Sequence, residues 1–519
     1  MVSFSRRHLL TTSLAAGVAG SVLASPLSHK AHAAPRRGGQ LRIGIHGANS
    51  SDSWDARTQS DSFMVNVCHG AAFDCLTEFK ADGTLGGELA ESWSASRDAK
   101  IWRFKLRRGV RFHNGKPFGA DDVLASLQMH LEEGAKSAAK PIISAITEMK
   151  KLGEHEVELH LEASNADFPY LLSDYHIVMY PAGMIDEAIR NGIGTGPYRA
   201  VSLDPGVRAV LTRIDDHYMA DEGGYFEDIE AIAINDPVAR TNALITGQVD
   251  VISRIDLKTV PLVKANPAIS ILSIGGNQHY TFPMLVAEAP FNDVNVRRAL
   301  KFACDRQEMV DKILLGHGTV GNDSPIGPAN QFVARDIPQT RYDPDRAKYY
   351  LQQAGLDELR VQLSVSDAAF TSAVDAGQLY QNSAKAAGIT IDLVQEPADG
   401  YWSNVWQKKP WCASYWSGRA TEDAMWTTGY EISAPWNDTG WDNPRFQSLI
   451  HQGRAELDDD KRRAIYREMQ MLISQEGATV IPMFANYVDA HNKKVAHGDD
   501  VGNIWLLDNS RVCKRWWMA

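Results

Sequence analysis

Between Tyr401 and Trp441 the chain places seven of its thirteen tryptophans: Trp402, Trp406, Trp411, Trp416, Trp426, Trp436 and Trp441. Tyr401, Tyr415 and Tyr430 lie among them. Every buried indole needs a partner for its N–H, and no single helix or strand can bury so many large rings in so short a span. Some of these rings are expected to line a cavity that opens and closes on a small solute. At its centre is Tyr415-Trp416-Ser417-Gly418-Arg419-Ala420-Thr421-Glu422-Asp423. Rings gathered around a few charged groups suit a solute pocket, with Arg419, Glu422 and Asp423 as its polar points. The alternative is a Trp-rich core segment carrying surface charges.

The rest of the chain predicts an α/β protein of two or three domains, since 519 residues exceed one ordinary core. A strand at 361–365, a helix at 371–387 and a strand at 389–394 alternate as in a parallel sheet with helices on its faces. Ile101-Trp102-Arg103-Phe104-Lys105-Leu106 alternates apolar and polar residues and reads as a half-buried strand. Asn114-Gly115 marks a hairpin turn, after which Asp121 or Asp122 caps a helix predicted to reach Glu133. Ser62 to Leu76 reads as one helix with Phe63, Val67, Ala71 and Cys75 on a face. Asp293 or Asn292 and then Asp305 cap helices, and residues 461–476 form a long amphipathic helix followed by a strand at 480–484.

The N-terminus is of another kind. Arg6-Arg7 precedes a weakly apolar run and then Ala31-His32-Ala33, a small-x-small cleavage pattern. This predicts an export signal over residues 1–33, with the paired arginines pointing to the twin-arginine route and a periplasmic destination. The signal carries Arg6, Arg7 and Lys30 and no acid, so removing its three charges takes the chain from −11 to near −14. An acidic surface argues against nucleic acid or anionic membrane as a partner. Cys68 and Cys75, seven apart on a helix, are too distant to bridge, whereas Cys304 and Cys412 have the freedom to meet. No Cys-x-x-Cys, Gly-x-Ser-x-Gly or His-Glu-x-x-His is present, and nothing calls for a cofactor, a metal or a catalytic residue. Histidines such as His69, His113, His176, His279 and His451 are scattered, with no paired spacing that would clamp a metal.

Several segments together resemble the family 5 extracellular solute-binding proteins, the binding subunits of ABC importers for peptides, nickel and related solutes. They are Asp82 to Trp93, Trp102 to Leu127, Gly194-Thr195-Gly196-Pro197-Tyr198, Ala243 to Asp250, and Ala289 to Leu300, in the family's order. The resemblance implies a monomeric two-lobed periplasmic-binding-protein fold with a hinge and an inserted β-rich subdomain. On that reading lobe I comprises 34–75, the insertion 76–195, and 196–276; lobe II spans 277–482; and 483–519 returns to lobe I. The chain then crosses between lobes near 275–280 and 480–487, and the partners are a small solute or short peptide and an inner-membrane permease. Peptide-binding members hold the peptide ammonium with an aspartate after a Trp-containing stretch. The matching stretch here is Trp416-Ser417-Gly418-Arg419, with Arg419 where the aspartate is expected. A guanidinium favours a carboxylate, so the implied solute is peptide-like or opine-like and carboxylated. The resemblance also places Tyr401 and Trp402 against the solute, and topology brings Asn277, His279 and Tyr280 near the cleft, with Trp426 flanking Arg419. A nickel or metal-chelate carrier of the same family, a secreted hydrolase, and a sensor coupled to a chemoreceptor are the other readings.

Overall fold

The structure is a computed structural model that describes residues 35–519; the export signal predicted over 1–33 lies outside the described residues. A nine-stranded mixed sheet runs through the molecule. Its order is Ser414–Trp416, Ile269–Pro283, Thr479–Asn492, Val251–Ile252, Gln40–Ile45, Asp228–Ala233, Arg208–Arg213 and Tyr198–Asp204, with Gly318–Val320 paired to Thr479–Asn492. Gln40–Ile45 is parallel to both neighbours and buries Leu41, Ile43 and Ile45 completely. That is the burial expected of a central strand covered on its faces.

Three apolar cores divide the chain. One gathers residues from Leu41 to Val251 and from Val495 to Trp516. A second runs from Phe282 to Ala485, and a small third lies around Leu244 and Val263. The antiparallel strands Ile269–Pro283 and Thr479–Asn492 pass from the first core to the second, giving two lobes joined by a two-strand ribbon. Their register slips midway: Gly275 faces Asn486, but His279 faces Phe484. Gly276 to Gln278 thus bulge opposite one residue of the partner strand, a device that bends a ribbon and redirects side chains.

Residues 90–161 carry a separate four-stranded antiparallel sheet, ordered Ala90–Ala95, Ile101–Leu106, Glu156–Leu161 and Ile146–Gly153. It packs into the first core through Trp102, Phe104 and Leu106, with Arg103 and Lys105 outward, as alternation predicts. At the hairpin, Gly115 sits at φ 86° and the Phe112 and Gly115 amides close the turn.

The local expectations met mixed outcomes. Asp293 and Asp305 cap Val294–Ala303 and Arg306–Ile313 by accepting the Asn295 and Glu308 amides. Leu359–Val365 and Ile389–Gln395 do pair in parallel, but as a two-stranded sheet extended only by a bridge from Ser364 to Cys412. The helix predicted over 62–76 is broken: Ser62–Val67 is α-helical, Cys68–Ala72 makes one wide turn, and Cys75 lies beyond. The next helix is capped by Gly119 instead of an aspartate, Asp122 bonding back to the Gly119 amide, and it ends at Gln128. All five cysteines are buried and free, so Cys304 and Cys412 do not bridge.

Candidate functional site

The ribbon between the lobes supports the site. Ser414–Trp416 adds to the edge of Ile269–Pro283, with Thr281, Tyr280 and His279 opposite Ser414, Tyr415 and Trp416. The chain then leaves the sheet beside the bulge. Gly418 lies against Asn277 so closely that a Cβ there would be 2.4 Å from the Asn277 Cβ. Asn277 is buried, and its side-chain oxygen accepts the Ala329 amide at 3.1 Å. This contact aims the next residue, Arg419.

Arg419 holds itself by a 2.9 Å hydrogen bond from Nη1 to the Ser417 carbonyl, with its guanidinium carbon 5.7 Å from the centre of the Trp416 ring. Among the described residues it forms no ion pair with a carboxylate. Burial lowers its pKa, and the phenols of Tyr175 and Tyr415 act on it electrostatically in the opposite sense. Tyr175 belongs to the first lobe, so Arg419 faces the opposite wall of the cleft. Burial pushes the Tyr175 phenol up to about 12. Its ring meets Trp505 edge-on at 5.5 Å.

Trp505 is held by an unusual turn. Leu507, Asp508, Asn509 and Ser510 all have φ between 53° and 60°, four successive non-glycine residues in the left-handed region. Such residues cost roughly 1–3 kcal/mol each and persist only where surroundings over-determine them. Here Asn509 Oδ1 accepts the Ile504 and Trp505 amides, and Asp508 accepts the Gly502 amide. Asp489 accepts the Leu507 amide and also that of Arg254, itself at φ 47°. Arg254 is exposed and acts electrostatically on Tyr280 and His46. The sequence reading missed Tyr175, Arg254 and Trp505. Asp-Asn-Ser is a turn former, but no local signal marks a left-handed run.

The residues singled out from sequence divide. Arg419, Trp416, Ser417, Gly418, Asn277, His279 and Tyr280 come together at the ribbon. His279 is fully buried, its Nδ1 2.9 Å from the Asn277 carbonyl, and burial holds its pKa down to about 4. Tyr280 stacks on Phe370, ring centres 4.1 Å apart. The others fall elsewhere. Glu422 and Asp423 are not polar points of an open pocket, because the helix they begin turns them inward. Glu422 accepts the Phe332 amide at 2.6 Å, and Asp423 pairs with Arg454 at 3.1 Å. Neither forms an ion pair with Arg419. Tyr401 is buried and gives its hydroxyl to the Ala413 carbonyl at 2.7 Å. Trp426 is wholly buried against Tyr430 and Phe446. Trp402 is exposed, against Tyr415 and Trp406. Packing within lobe II accounts for Tyr401 and Trp426, and Trp402 stands at the surface among neighbouring rings.

A second set of contacts joins the lobes away from the ribbon. Asp167, shortly after the four-stranded sheet, forms a buried ion pair with Arg462. The Ala166 amide bonds to the Arg454 carbonyl at 2.8 Å, and the Tyr170 hydroxyl to Gln331 at 2.9 Å. No group of three His, Cys, Asp or Glu able to hold a metal occurs among the described residues.

The model of the bacterial extracellular solute-binding proteins, family 5, matches residues 84–437. The chain belongs to that family. Among relatives of this solute-binding protein, the nickel-binding periplasmic protein of Escherichia coli is 25% identical, covering 83% of this chain and 86% of its own. The di/tripeptide-binding protein 1 of Pseudomonas aeruginosa is 26% identical, covering 82% and 85%. The structure of HbpA2 from Haemophilus parasuis superposes with a TM-score of 0.81 at 20% identity, covering 88% and 96%, which establishes the two-lobed fold. Both relatives are named as binding proteins, the first as a periplasmic one, and no described helix is long and apolar enough to cross a membrane.

Proposed function

We propose that this solute-binding protein is the periplasmic capture subunit of an ABC importer and holds a peptide-like or opine-like carboxylated solute between its lobes. Names of relatives that carry peptides support the importer reading. The observation that carries the solute class is Arg419: a half-buried guanidinium beside an indole, facing the other lobe, with no carboxylate partner among the described residues. Such a group leaves water readily and takes a carboxylate through two parallel N–H···O bonds. Tyr175 and Trp505 form the facing wall, and Trp416 the near one. The lobes are the segments 34–276 with 483–519, and 277–482, and they close about crossings near 275–280 and 480–487. The protein works as a monomer and leaves its solute chemically unchanged.

Calorimetry with two dipeptide derivatives tests this. N-acetyl-alanyl-alanine offers a carboxylate without an ammonium; alanyl-alanine amide offers the reverse. The first should bind and be recovered intact, and the second should not bind. Arg419→Ala should weaken binding at least tenfold, about 1.4 kcal/mol, and Arg419→Lys should restore part of it because lysine lacks the planar fork. Wild-type affinity in Arg419→Ala would reduce Arg419 to a wall residue.

A further inference from the structure

Lobe II contains a second polar cavity that shares no residue with the cleft. It measures about 400 Å³ and is lined chiefly by Arg298, Lys301, Phe302, Thr340, Arg346 and Tyr350. No aspartate or glutamate lines it, in a chain where acids outnumber lysine and arginine by 64 to 53. The three cations are held in place. Arg346 lies over Phe302 at 4.4 Å and Arg298 over Tyr350 at 5.8 Å, and those two rings stack with centres 5.6 Å apart. Lys301 is only 2% exposed. Its ammonium donates to the Ile473 and Ser474 carbonyls at 3.2 and 2.8 Å, leaving one of three protons unassigned. Among the described residues none of the three forms an ion pair. The one carboxylate acting on Lys301, Asp323, is already committed to Arg306. Burial, with Arg297, Arg306 and Arg298 nearby, draws the Lys301 pKa down to about 7.

The carbonyls met by Lys301 and Arg298 end the helix Asp459–Glu476, where cations offset the helix dipole. That role accounts for two of the cations. It does not account for Arg346, for the missing acids, or for the open volume between them. We propose that this cavity binds a small multiply charged anion of the phosphate or polycarboxylate type, independently of the solute in the cleft. Two guanidinia on a stacked aromatic pair, with an ammonium behind them, offer separate donors to separate anionic oxygens.

The test is calorimetry on the mature full chain at constant ionic strength, with inorganic pyrophosphate, citrate and, as a singly charged control, acetate. Saturable one-to-one binding of pyrophosphate or citrate but not acetate is expected, and whichever binds distinguishes the two chemistries. Arg346→Gln, at an exposed position that folding tolerates, should weaken it at least tenfold, and Arg298→Gln with Arg346→Gln should abolish it. Arg419→Ala should leave it unchanged, so failure here is separable from failure of the cleft reading. No saturable binding of either anion, equal binding by the double variant, or loss in Arg419→Ala would overturn the proposal.

Discussion

The two charged residues four positions apart, Arg419 and Asp423, differ because only Asp423 has an ion-pair partner among the described residues. Asp423 pairs with Arg454, while the Arg419 guanidinium lies beside the Trp416 ring. Glu422 lies between them and is the most informative titration in the segment. Burial raises its pKa from 4.5 to about 7; Asp167 adds to the rise, and the Phe332 amide and Arg462 oppose it. A folded-state pKa above the unfolded one means that the proton is held more tightly in the native state. The associated stability is therefore full below about pH 4.5 and lost as pH rises towards 7. Glu422→Gln keeps the acceptor for Phe332 without the charge. By chemical denaturation its stability relative to wild type should rise between pH 5 and 8, on the order of 2–3 kcal/mol from a shift of this size. A difference that stays flat over that range would show that Glu422 titrates normally.

At the level of elements, the decisive feature is the bulge at Gly276 to Gln278 and the short strand docked beside it. The strand Ser414–Trp416 brings Arg419 to the ribbon only because Gly418 can touch Asn277. A methyl group there would push the 417–420 segment away from the bulge. Gly418→Ala should lower affinity for N-acetyl-alanyl-alanine several-fold while leaving the melting temperature within a few degrees, since the cores are untouched. Unchanged affinity would mean that the segment adjusts freely. Helix boundaries show how local and tertiary forces divided the work. Asp293 and Asp305 were legible as caps because capping needs only the neighbouring amides. The break after Val67 was not legible, because its apolar pattern continues unbroken. Gly70 sits so close to the Ser510 carbonyl that a Cβ would be 2.1 Å from it, a contact made by residues 440 positions away.

For the whole molecule, the two-strand ribbon joins the lobes, and the Asp167–Arg462 pair, Ala166 and Tyr170 add contacts between them away from it. A solute that binds both walls shifts the balance towards closure. Small-angle scattering should show a smaller radius of gyration with saturating N-acetyl-alanyl-alanine. Asp167→Asn should enlarge the unliganded particle, because the Arg462 charge then loses its buried partner. Superimposable curves in all states would argue for a rigid pair of lobes. Export belongs to this scale too. Arg6→Lys with Arg7→Lys should leave uncleaved precursor in the cytoplasm; normal maturation of that variant would assign the general secretory route.

Hydrophobic pattern and capping residues sufficed for the α/β class and the capped helices, and motif order for a family resemblance that implied the two lobes and an aspartate where Arg419 stands. Each of these depends on residues near one another in sequence or on their order along it. Tertiary structure alone decided which of the clustered tryptophans are core, as Trp411 and Trp426 are, and which stand at the cleft, as Trp416 does. It alone turned Glu422 and Asp423 inward, because Phe332 and Arg454 come from other parts of the chain. It alone set Tyr175 and Trp505 opposite Arg419 from positions 244 before and 86 after it. A pocket between two lobes is assembled from distant segments, and hydrophobic periodicity records only which face of each segment is buried, not what it meets there.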